Sequence, residues 1–301
     1  MRILVSGSSG LIGNAISDAL TRDGHTISRL ARPAAAAHTQ TGDVAWDPVA
    51  KTFDATVAEG ADAVVHLAGA SIAGGRWTAA RKNLLRSSRI DATHHLVESL
   101  GSLARPPRIF IGASAIGIFG NRGDESLDET SAPGTDFLAT LTQEWEREEA
   151  AAANFGARVI STRFGIVLAG NGGALPRMLT PFKLGAGGRL GSGRQWMSWI
   201  ALRDIVGIVK FALANAALAG PVDAVSPEPA RNSDFTRALA EVLHRPAIFP
   251  APAFALRLAL GEMAGALLLG SQRVFPRRLQ ECGYAFAQTD LRSALREALG
   301  R

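Results

Sequence analysis

The 301-residue sequence predicts an α/β fold, in which a doubly wound parallel sheet is followed by a smaller, mostly helical region. Three observations predict this fold. The chain opens on an apolar strand segment, residues 2–6, that runs into a glycine-rich turn and a helix segment. Strand segments then alternate with helix segments, which implies right-handed crossovers between parallel strands. Beyond Gly165 the glycine content rises, and the later segments are mostly helical in pattern.

Each element of the first half follows from an apolar run and the residues that end it. Asp23-Gly24 ends the first helix, and Pro106-Pro107 ends the second. The unbroken apolar run at 61–69 is typical of a parallel strand that is covered on both faces. We predict strands at residues 2–6, 25–30, 43–46, 61–69, 108–113 and 157–162, helices at 14–20, 78–103 and 135–155, and a loop of small residues at 34–42.

The second half is predicted to be a loop-rich substrate region followed by helices. Asn232 and Asp290 are the predicted caps of two of these helices. We divide the chain into a nucleotide-binding domain, residues 1–165, and a substrate-binding and C-terminal helical region, residues 166–301, and leave open a strand exchange back to the first domain. The predicted elements are a glycine-rich loop at 170–193, helices at 202–215, 233–244, 254–269, 272–281 and 290–299, and a strand at 221–225.

Composition and charge exclude several classes of protein. The net charge is +5, but the arginines lie singly or in pairs, which argues against a nucleic-acid-binding tail. The basic balance suits a phosphate-rich small ligand, and codon bias is the alternative explanation. The single cysteine, Cys282, excludes an internal disulfide and fits a reducing cytosol. A strand that begins at residue 2 leaves no room for a secretory signal, so we expect a cytoplasmic protein.

One apolar segment, residues 251–270, raises the question of a membrane span. Arg257 and Glu262 interrupt this segment well short of the ~20 apolar residues that a span requires. We therefore predict a buried helix there and no association with a membrane.

The glycine-rich turn has the sequence Gly7-Ser8-Ser9-Gly10-Leu11-Ile12-Gly13. Gly7 permits the sharp turn, Gly10 lets a pyrophosphate approach the backbone, and Gly13 lets the helix pack closely on the strand. The helix N-terminus offers free N–H groups and a partial positive charge. An ordinary strand-to-helix turn is the alternative. We predict a dinucleotide cradle of the Rossmann type, built from Gly7, Ser9, Gly10, Leu11, Ile12 and Gly13.

The end of the second strand decides which dinucleotide binds. An acidic residue there would bind the ribose of NAD, whereas an arginine would bind the 2′-phosphate of NADP. This chain has Arg29 and Arg32 with no acidic residue between them, so we predict NADP(H) and assign the 2′-phosphate to Arg32. Leu67-Ala68-Gly69 ends the strand at 61–69, at the sheet edge where ligands bind. Lys82 and Arg86 are predicted to lie on a solvated helix face.

Five segments together resemble an atypical extended short-chain dehydrogenase/reductase. They are Gly7-Ser8-Ser9-Gly10-Leu11-Ile12-Gly13, Leu67-Ala68-Gly69, Ser114-Ala115-Ile116-Gly117, Arg163-Phe164-Gly165-Ile166-Val167-Leu168 and Gly191-Ser192-Gly193-Arg194-Gln195-Trp196-Met197-Ser198-Trp199-Ile200. The subgroup that the chain resembles is usually labelled epimerase family protein, or NAD-dependent epimerase/dehydratase, and has its own C-terminal domain, here about residues 250–299. This resemblance spans essentially the whole chain and implies further cofactor contacts by Ala31, Arg32, Leu67, Ala68, Arg89 and Val167.

The resemblance also implies a catalytic tyrosine and a lysine four residues later, and this chain lacks both. Phe137 and Leu141 occupy those places, and the one tyrosine, Tyr284, lies far downstream. A phenol, whose pKa is about 10, needs a neighbouring cation to act near neutral pH. Ser114 matches the catalytic serine of the family, with a strand-end hydroxyl bonded to backbone as the alternative.

Other candidate site residues follow from the same comparison. The diphosphate-binding arginine of the family aligns with Met197, so Arg194 is the candidate substrate-binding residue, with ordering of the glycine loop as its alternative role. We predict Asp204 to be a helix cap and His66 to be structural. No metal-ligand spacing is present, so we predict no metal. Carboxylates that could replace the tyrosine stay unranked: Glu144, Glu146, Glu148, Glu149, Asp124, Glu125, Asp128 and Glu129.

Two functions remain in competition at this stage. The first is an NADP(H)-dependent oxidoreductase or epimerase-like enzyme that acts on an unidentified small molecule. The second is a non-catalytic NADPH-binding redox sensor, for which the missing tyrosine and lysine are the reason. A nucleic-acid-binding regulator gains support only from the pI of about 10.1, and we predict no nucleic-acid partner. A homodimer is left open.

Overall fold

The computed structural model describes residues 1–32 and 43–301, so the loop predicted at 34–42 lies outside the described residues. The strands are β1 (Arg2–Ser6), β2 (Thr26–Ala31), β3 (Val44–Asp47), β4 (Thr52–Phe53), β5 (Ala63–His66), β6 (Ile109–Ala115), β7 (Ser126–Leu127), β8 (Arg158–Phe164), β9 (Ile166–Leu168), β10 (Trp196–Met197), β11 (Trp199–Ala201), β12 (Gly220–Ala224), β13 (Ala230–Arg231) and β14 (Arg273–Val274).

The α-helices alternate with the strands of the first half and dominate the second. They are α1 (Leu11–Arg22), α2 (Ala55–Ala58), α3 (Ala79–Ser87), α4 (Ile90–Gly101), α5 (Phe137–Ala150), α6 (Leu175–Lys183), α7 (Leu202–Ala214), α8 (Asn232–Leu243), α9 (Ala253–Leu260), α10 (Glu262–Ala264), α11 (Arg277–Glu281) and α12 (Leu291–Leu299). Short 3₁₀-helices cover Ile116–Phe119 and Ala151–Phe155, and a π-helical segment covers Gly265–Leu269.

Eight strands form one sheet in the order β12-β8-β6-β5-β1-β2-β3-β4. All neighbouring strands run parallel except β3 and β4. From β1 the chain first builds one side of the sheet, through β2, and then the other side, through β5. The order therefore reverses at β1, and the carboxyl ends of the strands beside this point are where a doubly wound sheet binds its ligands. This arrangement confirms the predicted fold class.

Helices cover both faces of this sheet. Val5 of β1 lies in one buried cluster with Ile16 of α1 and Ile205 of α7. Leu4, the preceding residue, lies in a different buried cluster with Leu96 of α4. Successive residues of a strand point to opposite faces, so burial on both faces explains why these strands are continuous apolar runs.

The second half of the chain contributes a third buried cluster. Leu179 of α6, Leu239 of α8 and Leu295 of α12 belong to it. Two small strand pairs accompany it, β9 with β11 and β10 with β13, and β12 joins the edge of the large sheet beside β8. Within the described ranges, none of the helices has the length and apolar character needed to cross a bilayer.

The helix predicted at 78–103 is two helices, α3 and α4, with a break at Ser88 and Arg89. Ser88 Oγ accepts a hydrogen bond from the backbone N–H of Ala70, at 3.1 Å. The Arg89 guanidinium donates to the carbonyl oxygens of Ala70 and Leu85, at 3.1 and 3.3 Å. The break thus turns both side chains toward the loop that follows β5. The apolar periodicity of the sequence does not indicate this break.

Two C-terminal helix predictions were wrong in their extent. The helix predicted at 254–269 is interrupted at Gly261, whose φ of +63° favours glycine, and resumes as α10 and the π-helical segment. The helix predicted at 272–281 begins only at Arg277, because β14 occupies Arg273–Val274 and pairs in parallel with β7. Strand pairing with a segment about 150 positions away in the sequence overrides the local helical pattern here.

Of the three predicted helix caps, one is confirmed and two are wrong. Asp290 caps α12 by accepting a hydrogen bond from the Ser293 N–H at 2.8 Å, as predicted. Asn232 does not cap α8, because its Oδ1 accepts from the Leu190 N–H at 2.8 Å instead. Asp204 lies inside the first turn of α7, where its carboxylate accepts N–H groups of the C-terminal segment rather than of its own helix.

His66, the last residue of β5, is fully buried and structural, as predicted. Ser6 Oγ accepts the N–H groups of Leu67 and Ala68, at 3.0 and 3.1 Å, so its own proton points to His66 Nδ1 at 2.7 Å. His66 Nε2 then carries the proton that is donated to Thr93 Oγ1, at 2.9 Å. Burial lowers the pKa of His66 to about 4, which keeps the imidazole neutral.

We therefore expect His66 to make folding sensitive to acid. The folded pKa of about 4 lies below the unfolded value of 6.5, so this stability is complete above the unfolded pKa and is lost as the pH falls toward 4. The loss should reach about 2 kcal/mol between about pH 7 and pH 5. The test is urea unfolding of the unmodified protein and of His66→Gln, whose side chain keeps hydrogen-bonding groups but does not titrate. The contribution of His66 is the difference between the two proteins in how the free energy of unfolding changes with pH. His244→Asn, at an exposed position, is the control, and an unchanged slope in His66→Gln would contradict the assignment.

Candidate functional site

The glycine turn between β1 and α1 brings three stretches of backbone together. A Cβ on Gly13 would lie 2.2 Å from the carbonyl oxygen of Gly7, and a Cβ on Gly7 would lie 2.8 Å from the carbonyl carbon of Leu67. Gly7 also has a φ of +66°. Any side chain at either position would therefore clash with backbone, and only glycine allows the first strand, the first helix and the end of β5 to approach this closely.

The N-terminus of α1 is left open by this geometry. Its N-cap residue, Gly10, supplies no side chain to accept the first N–H groups of the helix. Among the described residues, a Cβ on Gly10 would meet the Gly7 carbonyl oxygen, at 3.2 Å, and no side chain within 4 Å. Uncapped N–H groups beside bare backbone are the donor set that a pyrophosphate binds at a helix N-terminus.

Arg89 adds a half-buried cation next to this turn. A Cβ on Gly69 would lie 3.4 Å from the Arg89 guanidinium carbon, which is 5.1 Å from the centre of the Trp145 ring. Burial lowers the pKa of Arg89 to about 10, and its described hydrogen bonds go to carbonyl oxygens rather than to a carboxylate. Its charge is therefore available to an anionic ligand.

The other predicted cofactor residues lie around the same edge. Ala31 ends β2, and Arg32 follows it with an exposed side chain. Because β2, β1 and β5 are parallel neighbours, Arg32 lies at the same edge of the sheet as the glycine turn. Val167 lies on β9. The loop that follows β9 packs on the Leu11 side chain, because a Cβ added to Gly172 of this loop would lie 3.2 Å from that side chain.

Ser114 is buried at the carboxyl end of β6 and faces α5. Its hydroxyl donates to Glu146 Oε1 at 2.5 Å. Arg163 holds the same carboxylate with two hydrogen bonds, from Nε at 2.7 Å and from a terminal nitrogen at 2.9 Å. Strand register places Ser114 of β6 directly beside Arg163 of β8, and Arg163 beside Asp223 of β12. Three neighbouring strands thus present a polar row to Glu146.

A second polar row lies two residues deeper. Gly112 and Ser161 are register partners there, and the Glu149 carboxyl packs on the bare backbone of Gly112, where a Cβ would lie only 2.1 Å away. Ser161 Oγ donates to Glu149 Oε2 at 2.5 Å. Burial raises the pKa of Glu149 well above its ordinary value, and burial together with the neighbouring Glu129 does the same for Asp223. Burial thus favours the uncharged forms of Glu149 and Asp223.

The two polar rows distinguish buried from surface carboxylates among the candidates that the sequence left unranked. Glu146 and Glu149 are buried and bonded to strand hydroxyls, whereas Glu144 and Glu148 pair with Arg86 and His94 near the surface. Residues three apart lie on one face of a helix, so the sequence spacing indicates that Glu146 and Glu149 share a face of α5. Only the packing of α5 shows that this face is turned toward the sheet.

The places of the missing tyrosine and lysine are apolar. Phe137 begins α5 and packs edge-on against Trp77, with ring centres 5.3 Å apart. Leu141 is buried. Lys82 lies over the Phe137 ring, 4.7 Å from its centre, and pairs with Glu262 at 2.5 Å. The prediction that Lys82 is simply solvated was therefore wrong, because the C-terminal region reaches across to it.

Tyr284 does not substitute for the missing phenol. Its hydroxyl donates to the carbonyl oxygen and carboxylate of Asp204, at 3.1 and 3.2 Å, and burial raises its pKa. The Arg194 side chain is exposed and makes no described hydrogen bond or ion pair, so no contact joins it to Ser114 or to the glycine turn. Among residues 1–32 and 43–301, no group of His, Cys, Asp and Glu side chains could hold a metal ion.

Family models match two parts of the chain. Residues 3–224 match the NAD dependent epimerase/dehydratase family, and residues 251–298 match a domain of unknown function, DUF1731. Among characterised sequences, the chain is 41% identical to Epimerase family protein Mb2239 of Mycobacterium bovis over 299 residues, covering 99% of this chain and 98% of that protein. It is 35% identical to Epimerase family protein YfhF of Bacillus subtilis, covering 99% and 98%.

Solved structures show the same similarity. The human epimerase family protein SDR39U1, crystallised with NADPH, has 31% sequence identity and a TM-score of 0.90 over 100% of this chain and 99% of that one. A nucleoside-diphosphate sugar epimerase from Corynebacterium glutamicum has 34% identity and a TM-score of 0.81, and the match covers 58% of its chain. A family model that spans most of the chain, together with relatives of this identity along its whole length, shows that this protein belongs to the NAD-dependent epimerase/dehydratase family of extended short-chain dehydrogenases/reductases.

Proposed function

We propose that this protein binds NADP(H) between the glycine turn and the end of β5 and uses it to oxidise or reduce a small molecule at the same sheet edge. The observation that carries the proposal is the N-terminus of α1 beside Gly7 and Gly10, which no side chain of the described residues caps. Arg89 supplies a nearby cation without a carboxylate partner. The human relative that was crystallised with NADPH supports the same cofactor.

The phosphorylated dinucleotide is proposed because of Arg32. This residue directly follows β2 and is exposed, at the position where NADP-binding folds hold the 2′-phosphate. No acidic residue of β2 is present to bind the ribose of NAD instead. Gly7, Ser9, Gly10, Leu11, Ile12, Gly13, Ala31, Leu67, Ala68, Gly69 and Val167 are proposed to complete the cofactor site.

Ser114 and Glu146 are proposed to move the proton that accompanies hydride transfer. Bound NADP(H) supplies the hydride in one direction and accepts it in the other. In the oxidising direction, Ser114 Oγ accepts the proton of the substrate hydroxyl and passes its own proton to Glu146, across the 2.5 Å hydrogen bond. The bidentate Arg163 contact holds the Glu146 carboxylate in place against Ser114.

A redox sensor that binds NADPH without turnover is the second candidate. The apolar Phe137 and buried Leu141, at the places of the catalytic tyrosine and lysine, are the observation that favours it. The two functions differ in one measurable respect. An enzyme oxidises bound NADPH or changes a substrate when carbonyl compounds and sugar nucleotides are added, whereas a sensor leaves both unchanged.

Replacing Arg32 should affect the affinity for NADPH much more than the affinity for NADH. Loss of a charged hydrogen bond to phosphate costs about 1.5–3 kcal/mol, so Arg32→Ala should weaken NADPH binding by roughly 10- to 100-fold. NADH binding should change little, because NADH lacks the 2′-phosphate. Fluorescence titration of both nucleotides measures the effect, with Arg29→Ala as the matched control on the same strand. Equal losses for NADPH and NADH would show that Arg32 does not read the phosphate.

Replacing Glu146 should impair turnover while sparing cofactor binding. Glu146→Gln keeps the shape of the side chain but cannot accept the serine proton, so the rate should fall by roughly 100-fold or more. The NADPH dissociation constant should stay the same. Rates with a panel of carbonyl compounds and sugar nucleotides, together with NADPH titrations, test this expectation.

Glu144→Gln, on the same helix but paired with Arg86 near the surface, is the control for Glu146→Gln. Full activity of Glu146→Gln would remove Glu146 from the proton transfer. If the unmodified protein binds NADPH but converts no member of the panel, the sensor gains the support and the enzymatic proposal loses it.

A further inference from the structure

A lysine of the first half of the chain and a glutamate of the C-terminal domain meet over the place of the missing tyrosine. Lys82 Nζ lies 2.5 Å from Glu262 Oε2 and 4.7 Å from the centre of the Phe137 ring. The Trp77 ring packs edge-on against the same phenylalanine. These four side chains, Lys82, Glu262, Phe137 and Trp77, are called the Lys82 site. An ammonium group thus lies over the ring that replaces the catalytic phenol.

The ammonium group of Lys82 has hydrogen-bond donors to spare. It carries three N–H groups. Among the described residues, Glu262 is the partner of one of them, and the Phe137 ring offers its π face rather than a hydrogen-bonding oxygen. The Lys82 side chain is 29% exposed and that of Glu262 is 50% exposed, so both groups border open space. A ligand oxygen that enters this space can accept a hydrogen bond from Lys82.

The Lys82 site is on the side of the sheet where the nicotinamide half of the cofactor is expected. Arg32, after β2, is proposed to bind the adenosine half, and the glycine turn after β1 is proposed to bind the pyrophosphate. A dinucleotide crosses the point where the strand order reverses, so its nicotinamide half lies beyond β1, over the ends of β5 and β6. Helix α5 begins just beyond the end of β6, because a Cβ on Gly117 would lie 3.4 Å from the Leu138 side chain. Phe137, the first residue of that helix, and Lys82 above it therefore lie toward the nicotinamide half.

Helix α3 fixes the distance between Lys82 and the cofactor edge. Lys82 precedes Ser88 by six residues, about 9 Å along a helix axis. Ser88 Oγ accepts the backbone N–H of Ala70 at 3.1 Å, so this end of α3 is held at the loop that follows β5. The ion pair between Arg86 and Glu144, at 2.5 Å, holds the same helix against α5. The position of Lys82 relative to the end of β5 is therefore set by the fold and not by a ligand.

We propose that Lys82 donates a hydrogen bond to the substrate oxygen beside the nicotinamide ring, and that Glu262 of the C-terminal domain is the positioning residue for Lys82. This inference rests on the proposed function for its cofactor and its reaction. In the reducing direction, hydride passes from NADPH to the carbonyl carbon, and the electron pair of the carbonyl π bond moves onto the oxygen. The ammonium of Lys82 stabilises the negative charge that develops there. Lys82 keeps its own protons, and Ser114 delivers the proton that completes the hydroxyl group.

This assignment gives the C-terminal domain of unknown function a part in the reaction. Glu262 lies within the segment that matches that domain, whereas Lys82 lies within the segment that matches the epimerase family. Gly261 turns the chain just before Glu262, with a φ of +63°, and a Cβ there would lie 3.4 Å from the Arg76 guanidinium. Arg76 donates to the Leu258 carbonyl oxygen at 3.3 Å. Half-exposed ion pairs contribute little to stability, so this pair is suited to holding a cation in place rather than to fastening the domain.

Sulfite is the probe for a cation beside the nicotinamide ring. Its sulfur lone pair adds to C4 of the oxidised ring, which forms a C–S bond, leaves a sulfonate group there and converts the ring to a dihydropyridine that absorbs in the near ultraviolet. Protein saturated with NADP⁺ is titrated with sulfite, and the absorbance gives the sulfite dissociation constant. Lys82→Gln should weaken sulfite binding by roughly 10- to 100-fold, because a charged hydrogen bond to the sulfonate is lost. The NADP⁺ dissociation constant should stay the same.

Three further variants make this measurement specific. Lys82→Arg keeps the positive charge and should restore most of the sulfite affinity. Glu262→Gln keeps an oxygen that accepts from Lys82 but removes a negative charge, so sulfite should bind about threefold more tightly or better. Lys210→Gln is the matched control, because Lys210 also forms a half-exposed ion pair, with Asp23 at 2.7 Å. This control should bind sulfite as the unmodified protein does.

Each outcome decides the proposal. Equal sulfite affinity of Lys82→Gln and the unmodified protein would overturn it, as would an unmodified protein that forms no more adduct than free NADP⁺ does. A purely structural ion pair predicts the same effect for Lys82→Gln and Glu262→Gln, whereas a cation beside the nicotinamide ring predicts opposite effects. Thermal unfolding shows which variants are folded, and the direction of the change in Glu262→Gln decides the question if Lys82→Gln is not folded.

Failure of this inference and failure of the proposed function give different results. If the unmodified protein does not bind NADP⁺, the proposed function is refuted and the role of Lys82 falls with it. If NADP⁺ binds and sulfite affinity does not depend on Lys82, only the role of Lys82 is refuted.

Discussion

The hydrogen bonds of Ser6 are the constraint on which the cofactor edge depends. One side-chain oxygen accepts the N–H groups of Leu67 and Ala68 and donates its proton to His66. His66 continues the chain of bonds to Thr93 of α4, which also accepts from Trp145 of α5 at 3.0 Å. Two strands and two helices are thereby joined through fully buried polar groups. Because every member has a partner, this network costs little to bury and fixes one arrangement of the strand ends.

Polar contacts also organise the rows under α5. Arg163 donates two hydrogen bonds to Glu146, and Ser114 donates a third. Burial favours the uncharged forms of Asp223 and Glu149. Glu149 is hydrogen-bonded to Ser161, whereas Glu146 is hydrogen-bonded to Ser114 at the end of β6. This contact with Ser114 is why Glu146 is the carboxylate that we propose for proton exchange.

The C-terminal segment is held to the rest of the molecule by specific polar contacts rather than by the large core alone. Asp204 accepts the backbone N–H groups of Ala287 and Gln288, at 2.7 and 3.0 Å. Ser271 Oγ donates to the carbonyl oxygen of Gly123 at 2.5 Å, and Lys82 pairs with Glu262. Each contact joins residues far apart in the chain. Together they place β14 beside the loop that follows β6.

The sequence by itself determined the alternation of strands and helices, the parallel sheet, the glycine turn and the structural role of His66. These features depend on residue spacing within one or two adjacent elements, which the order of residues records directly. The break between α3 and α4, the strand at Arg273–Val274, and the contacts of Glu146 and Lys82 were decided by the tertiary structure. They join segments about 20 to 180 residues apart, so no local pattern contains them. Which polar side chains face one another at the site follows only from how the helices pack on the sheet.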